Sequence, residues 1–179
     1  IVSIKCSEVK NMVNAYKIVA KDCDYPLHLG VTEAGTERSS LIKSSIGIGA
    51  LLLDGIGDTI RVSMTGDCEK EIEAGFDILK ALEIRVNSPI IVSCPTCART
   101  EVDLISLAEK VEFAVKHIKK PIKIAVMGCV VNGPGEAKNA DIGVAGGKGC
   151  GMLFKNGEIL RKVDENKIVE ELLKEIELI

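Results

Sequence analysis

The sequence predicts an α/β protein in two parts, and three observations carry that prediction. Short apolar runs at 1–5, 27–31 and 59–63 alternate with segments of helical spacing, the βα rhythm of a parallel sheet. Aromatic residues make up only 3% of the chain and Trp is absent, while hydrophobic residues make up 46%. The core must therefore be built of Ile, Leu, Val and Ala, which suits a parallel sheet under helices better than an aromatic-rich sandwich. The rhythm then changes after Asn87-Ser88-Pro89, where a second region with its own apolar pattern begins.

Taken in order, residues 1–5 (IVSIK) read as a short buried strand. Val9, Met12, Val13, Tyr16 and Val19 recur at helical spacing and predict the first helix. Residues 27–31 are the next strand. A helix over 37–53 follows, with Thr36 as its N-cap and Gly55 beyond its end. Residues 59–63 (TIRVS) form the third strand, and Ile72, Phe76, Leu79 and Leu82 mark another amphipathic helix. Three such units are too few to close a barrel but fit its last part. Ile1 lies inside an apolar run with no Met before it, so the sequence reads as one cut from a longer chain. Residues 1–86 are thus expected to be the C-terminal βα units of a TIM-type barrel.

Residues 89–179 are expected to form a small α/β or α+β domain. A strand over 89–93 runs straight into Cys94-Pro95-Thr96-Cys97. A helix over 101–118 opens with Thr100 and Asp103 as a capping pair. Residues 122–127 form a strand that ends in a Gly/Cys/Pro loop. Short strands are expected near 141–145, 150–154 and 158–163, the last two flanking an Asn156-Gly157 hairpin turn. A charged amphipathic helix closes the chain.

Composition narrows the function. Lys plus Arg is 23 and Asp plus Glu is 26, for a net charge of −3 with no basic stripe, which argues against a nucleic-acid partner. No apolar run approaches the roughly 18–20 residues that a membrane helix needs. Seven cysteines is an odd number, and nothing reads as a secretory signal. The expectation is reduced thiols in a cytosol-like compartment, some of them bound to metal.

The strongest chemical signal is Cys94-Pro95-Thr96-Cys97 followed by Cys129. Three readings compete. A thioredoxin-like redox pair needs only the CxxC. Structural zinc usually needs two Cys/His pairs, but a lone Cys answers the first pair here, and neither His28 nor His117 is near it in sequence. An iron–sulfur cluster tolerates a distant third thiolate and an unusual fourth ligand, and the spacing favours it. In GCVVNGPGE, Asn132-Gly133-Pro134-Gly135 forms a tight turn that returns Glu136 towards Cys129. A carboxylate suits the soft iron–sulfur core poorly, so Glu136 as fourth ligand would be weakly held and readily displaced. The alternative is a solvated turn residue.

The segments VSCPTCART and VMGCVVNGPGEA, with HLGVTEAG and GIGDTIRVS upstream, resemble the 4-hydroxy-3-methylbut-2-enyl diphosphate synthase family (GcpE). The four motifs occur in order and cover nearly the whole chain, which looks like the C-terminal half of such an enzyme. The resemblance implies the end of a TIM barrel plus a domain binding a [4Fe–4S] cluster. It also implies reductive opening of 2-C-methyl-D-erythritol 2,4-cyclodiphosphate in isoprenoid synthesis. The electrons would come from ferredoxin or flavodoxin. Cys94, Cys97, Cys129 and, exchangeably, Glu136 match the family's cluster ligands. Glu33 matches its catalytic acid, and Lys5, Arg61 and Ser63 match residues that contact the diphosphate. These four barrel residues lie late in, or just after, the strands read above, where barrel chemistry gathers. A head-to-tail homodimer, in the bacterial cytoplasm or the plastid stroma, is also implied. His28 reads as a satisfied core or rim histidine, and Cys6, Cys23, Cys68 and Cys150 as small thiols without partner spacing. A non-catalytic electron-transfer module and a zinc-stabilised interaction domain are the rival accounts.

Overall fold

A computed structural model describes residues 1–131, 135 and 137–179, and the chain divides into two units, Ile1–Arg85 and Val86–Ile179. The first unit runs α1 (Val9–Asp22), β1 (His28–Leu29), α2 (Glu37–Leu53), β2 (Thr59–Ile60) and α3 (Cys68–Ala81). β1 and β2 are parallel, with His28 opposite Thr59 and Leu29 opposite Ile60. The strand expected at 1–5 is instead a pair of isolated parallel bridges, Val2 to Leu27 and Cys6 to Val31. A side chain explains the gap between them. The Ile4 N–H donates to the Tyr16 hydroxyl at 2.8 Å, and that hydroxyl donates to the His28 carbonyl. Tyr16, fully buried on α1, thus stands in the ladder where a direct backbone bond would run.

Tyr16→Phe removes both bonds and leaves a buried donor and acceptor facing each other across a gap. It is expected to cost about 1–3 kcal/mol, read as a lower urea midpoint.

Helix α2 ends where expected. Gly55 takes a left-handed φ of 73°, its N–H reaches the Leu52 carbonyl at 3.0 Å, and Ile56 N–H reaches Leu51 at 2.9 Å. Thr36 occupies the N-cap position, but its side chain makes no capping bond. Its backbone bridges Thr65 instead. The predicted apolar stripe of α3 is displaced: Ala74 and Ile78 are buried, while Ile72 and Phe76 are 60% and 45% exposed. Ala74 and Ile78 instead join the core of the first unit, where α3 packs against α2. Ile72 and Phe76 are left along an open groove with Ile60, Leu79 and Arg85. The Arg85 guanidinium lies 5.1 Å from the centre of the Phe76 ring.

The second unit runs β3 (Ile90–Ser93), α4 (Leu104–Val115), β4 (Lys123–Met127), β5 (Ile142–Gly147), β6 (Cys150–Lys155), β7 (Glu158–Asp164), a 3-10 turn at Glu165–Lys167, and α5 (Ile168–Glu177). The sheet order is β3-β4-β5-β6-β7; β3, β4 and β5 are parallel, and β6 and β7 extend the sheet antiparallel. Asn156 and Gly157 turn the last hairpin with φ of 50° and 82°. Strand alternation splits the interior in two. Ile124, Val126, Val144 and Leu153 meet Leu107 and Val111 of α4 and Leu172 and Ile176 of α5. On the other face Ala125, Met127, Ala145 and Phe154 are covered by Ala137 and Ala140. The expected capping pair of α4 needs correcting. Asp103 is the N-cap, accepting from the Ser106 N–H at 3.2 Å, and Thr100 is engaged elsewhere. Among the described residues no helix is long and apolar enough to cross a membrane.

Candidate functional site

In the second unit Ser93 of β3 pairs with Val126 of β4, so the loops that follow these strands leave the sheet side by side. They leave at the carboxyl end, where open parallel sheets collect their ligands. The first loop carries Cys94 and Cys97, the second Cys129. The two are stitched together: the Gly128 N–H donates to the Cys94 sulfur at 3.2 Å, and the Glu101 N–H to the Gly128 carbonyl at 2.9 Å. Cys94 is half-buried and packs against both interior layers, Cys129 is buried, and Cys97 is exposed. The Arg99 backbone N–H, then the Thr100 hydroxyl, hold the Cys97 thiol below its usual range.

Glu136 lies outside the described residues, as do Asn132, Gly133 and Pro134 of its predicted turn. Among the described residues, no three His, Cys, Asp or Glu side chains stand close enough together to hold a metal ion. In kind, the donor set fits a soft metal group. It offers thiols on two stitched loops, with N–H and O–H groups directed at the sulfurs of Cys94 and Cys97.

The first unit has a polar strand face. Leu27, Leu29, Val31 and Val62 are buried towards the helices. The alternate positions are Ser3 and Lys5, His28, Gly30 and Thr32, and Thr59, Arg61 and Ser63. The face begins with His28 Nδ1 at 2.8 Å from Thr59 Oγ1 and the Ser3 hydroxyl donating to the His28 carbonyl at 3.2 Å. Next come Lys5, Gly30 and Arg61. A side-chain carbon on Gly30 would lie 2.7 Å from the Arg61 carbonyl oxygen and 3.2 Å from Lys5 Cε. Glycine is therefore required for Lys5 and Arg61 to crowd together. Burial, then Arg61, lowers the Lys5 pKa; burial, then Lys5 and Arg61, lowers that of His28. The Ser63 carbonyl accepts from the buried Ser40 hydroxyl at 2.6 Å. Glu33, exposed in the turn after β1, has a φ of 52°, an uncommon conformation for a residue other than glycine.

Sequence reading singled out Lys5 and Arg61 but missed Gly30 between them. The signal was available, since polar or glycine residues alternate with apolar ones in all three predicted strands. It also missed Thr100 and Gly128, which join the thiol loops; their role depends on contacts that spacing does not reveal.

Together these features define a two-unit α/β protein with a cationic strand face in one unit and a thiol-bearing carboxyl-end rim in the other. Comparison with known proteins makes this specific. Residues 1–76 match the GcpE TIM-barrel domain and residues 90–178 the GcpE protein C-terminal domain. The chain belongs to the GcpE family. A relative from Caldanaerobacter subterraneus subsp. tengcongensis is 58% identical over 177 residues, covering 99% of this chain and 50% of the relative. One from Brevibacillus brevis is 56% identical over 176 residues, covering 98% and 49%, and one from Geobacter sulfurreducens is 54% identical over 178, covering 99% and 50%. All three are named 4-hydroxy-3-methylbut-2-en-1-yl diphosphate synthase (flavodoxin). The chain spans about half the length of these curated relatives.

Proposed function

We propose that the chain is the C-terminal portion of a 4-hydroxy-3-methylbut-2-en-1-yl diphosphate synthase. In this reading residues 1–86 supply the last βα units of a TIM-type barrel and residues 89–179 an iron–sulfur domain. The reaction is the reductive opening of 2-C-methyl-D-erythritol 2,4-cyclodiphosphate to 4-hydroxy-3-methylbut-2-enyl diphosphate. Two electrons and two protons enter, a C–O bond of the ring breaks, and water leaves. Flavodoxin, which appears in the relatives' names, or ferredoxin provides the electrons. When bound, a [4Fe–4S] cluster supplies electron transfer and a Lewis-acidic iron at one site.

Cys94, Cys97 and Cys129 hold the cluster, with Glu136 as the exchangeable fourth ligand. Lys5, Arg61 and Ser63 bind the diphosphate. An anion settling beside Lys5 and Arg61 relieves their mutual repulsion, so substrate binding and full protonation of Lys5 reinforce each other. Glu33 delivers a proton to the departing oxygen. A second subunit, arranged head to tail, covers the barrel mouth with its cluster domain and excludes water. The same reading makes the protein cytoplasmic in a bacterium, or stromal if plastid-borne. The observation that carries it is the Gly128 N–H donating to the Cys94 sulfur, which brings together the two loops that bear the thiols.

Anaerobic purification of the chain, followed by iron, sulfide and zinc analysis, tests the cofactor. A brown protein with iron and sulfide in near-equal amounts is expected; a colourless protein holding zinc would sink the reading. In a full-length enzyme Glu136→Ala is expected to retain the cluster and lose turnover. Wild-type turnover in that variant would remove the ligand-exchange role.

A further inference from the structure

Thr100 stands between the two thiol-bearing loops and touches both. Its Oγ1 accepts the Cys97 backbone N–H at 3.0 Å and lies 3.9 Å from the Cys97 sulfur, to which it donates. On its other side it fills the space above Gly128. A side-chain carbon on that glycine would lie 3.1 Å from Thr100 Cγ2 and 3.2 Å from its Oγ1. One side chain therefore spans from Cys97 to the residue immediately before Cys129. Capping does not account for this placement, because Asp103 already caps α4.

We propose that Thr100 is a positioning residue for the metal group held by these thiols. Its hydroxyl orients the Cys97 sulfur and tunes that sulfur's electron density, and its methyl keys the Cys97 loop to the Gly128–Cys129 loop. The inference rests on the iron–sulfur reading above. A hydrogen bond donated to a ligating sulfur favours the more electron-rich, reduced state of a cluster and so raises its reduction potential. Different atoms carry the two roles, so substitution separates them. Thr100→Val keeps the shape and a methyl against Gly128 but loses the hydroxyl. Thr100→Ser keeps the hydroxyl and loses the methyl.

The test uses the whole chain reconstituted anaerobically with iron and sulfide. Midpoint potential is followed by electron paramagnetic resonance, and iron release is timed against a chelator. Thr100→Val is expected to shift the potential to more negative values. Thr100→Ser is expected to hold the wild-type potential while releasing iron several-fold faster. If Thr100→Val fails to load while Thr100→Ser loads normally, the hydroxyl is likewise assigned the positioning role. A wild-type potential in Thr100→Val, or equal shifts in both variants, overturns the inference. Failure of the wild-type chain to take up iron and sulfide overturns the underlying reading and the inference with it.

Discussion

Chains carrying Cys94→Ser are expected to leave anaerobic reconstitution with iron and sulfide near background. Cys94 lies where the two thiol loops meet, taking the Gly128 N–H on its sulfur and packing against both interior layers of the second unit. Serine can accept the same N–H, so the loops remain stitched. What it lacks is a soft, readily ionised donor, and a hard neutral hydroxyl is a poor ligand for an iron–sulfur core. The cost in folding is expected to be small, on the order of 1 kcal/mol, so iron loss should occur in a chain that still melts cooperatively. Cys150→Ser serves as the control. Cys150 opens β6 beside Gly147, at the same end of the sheet, but is outside the proposed ligand set. It should load iron as the wild type does; equal loss from both variants would remove Cys94 from its assigned role.

Gly143→Ala is expected to be among the most destabilising single-methyl additions in the chain. Gly143 pairs directly with Phe154 across β5 and β6, and the fully buried ring lies over the space where a side chain would be. An added carbon would lie 2.5 Å from Phe154 Cζ, 2.7 Å from the Ala125 carbonyl oxygen and 2.8 Å from Ala125 Cβ. The ring has little room to yield, and the Ala125 atoms belong to the neighbouring interior strand β4. A loss of about 3 kcal/mol is expected, read as a lower urea midpoint. Adding Phe154→Leu removes the ring contact but not the backbone oxygen, so the double variant should recover only part of the loss. Full recovery would place the strain in the ring alone.

How much of this was legible in the sequence differs between the units. The hairpin at Asn156-Gly157 and the helices at Val9–Asp22 and Glu37–Leu53 follow from local rules, and the structure has them where those rules predict. The strand at 1–5 was not legible in the same way, because the Tyr16 hydroxyl that interrupts it comes from a helix. The apolar stripe of α3 was misread for a related reason. Periodicity reports which residues share a face, whereas packing against the rest of the unit decides which face is covered. At the candidate site CPTC and the Cys129 loop could be matched by motif. Their adjacency depends on β3 and β4 being parallel neighbours, a pairing no local pattern encodes. Thr100 looked like half of a capping box and proved to be a link between loops, since Asp103 caps α4 by itself.

The change from parallel to antiparallel strands at β5 gives the second unit two ends with different tolerances for modification. Its thiols crowd the end at which Ser93 and Met127 finish, whereas the Asn156-Gly157 turn caps the other, beside the start of β5. A five-residue strand is roughly 17 Å long, so that turn lies about that far from the strand ends that lead to Cys94 and Cys129. A spectroscopic label or affinity handle grafted there would report on the domain without crowding the cysteines. The same graft in the Pro95–Thr96 segment would fall between Cys94 and Cys97 and interfere with the proposed metal group.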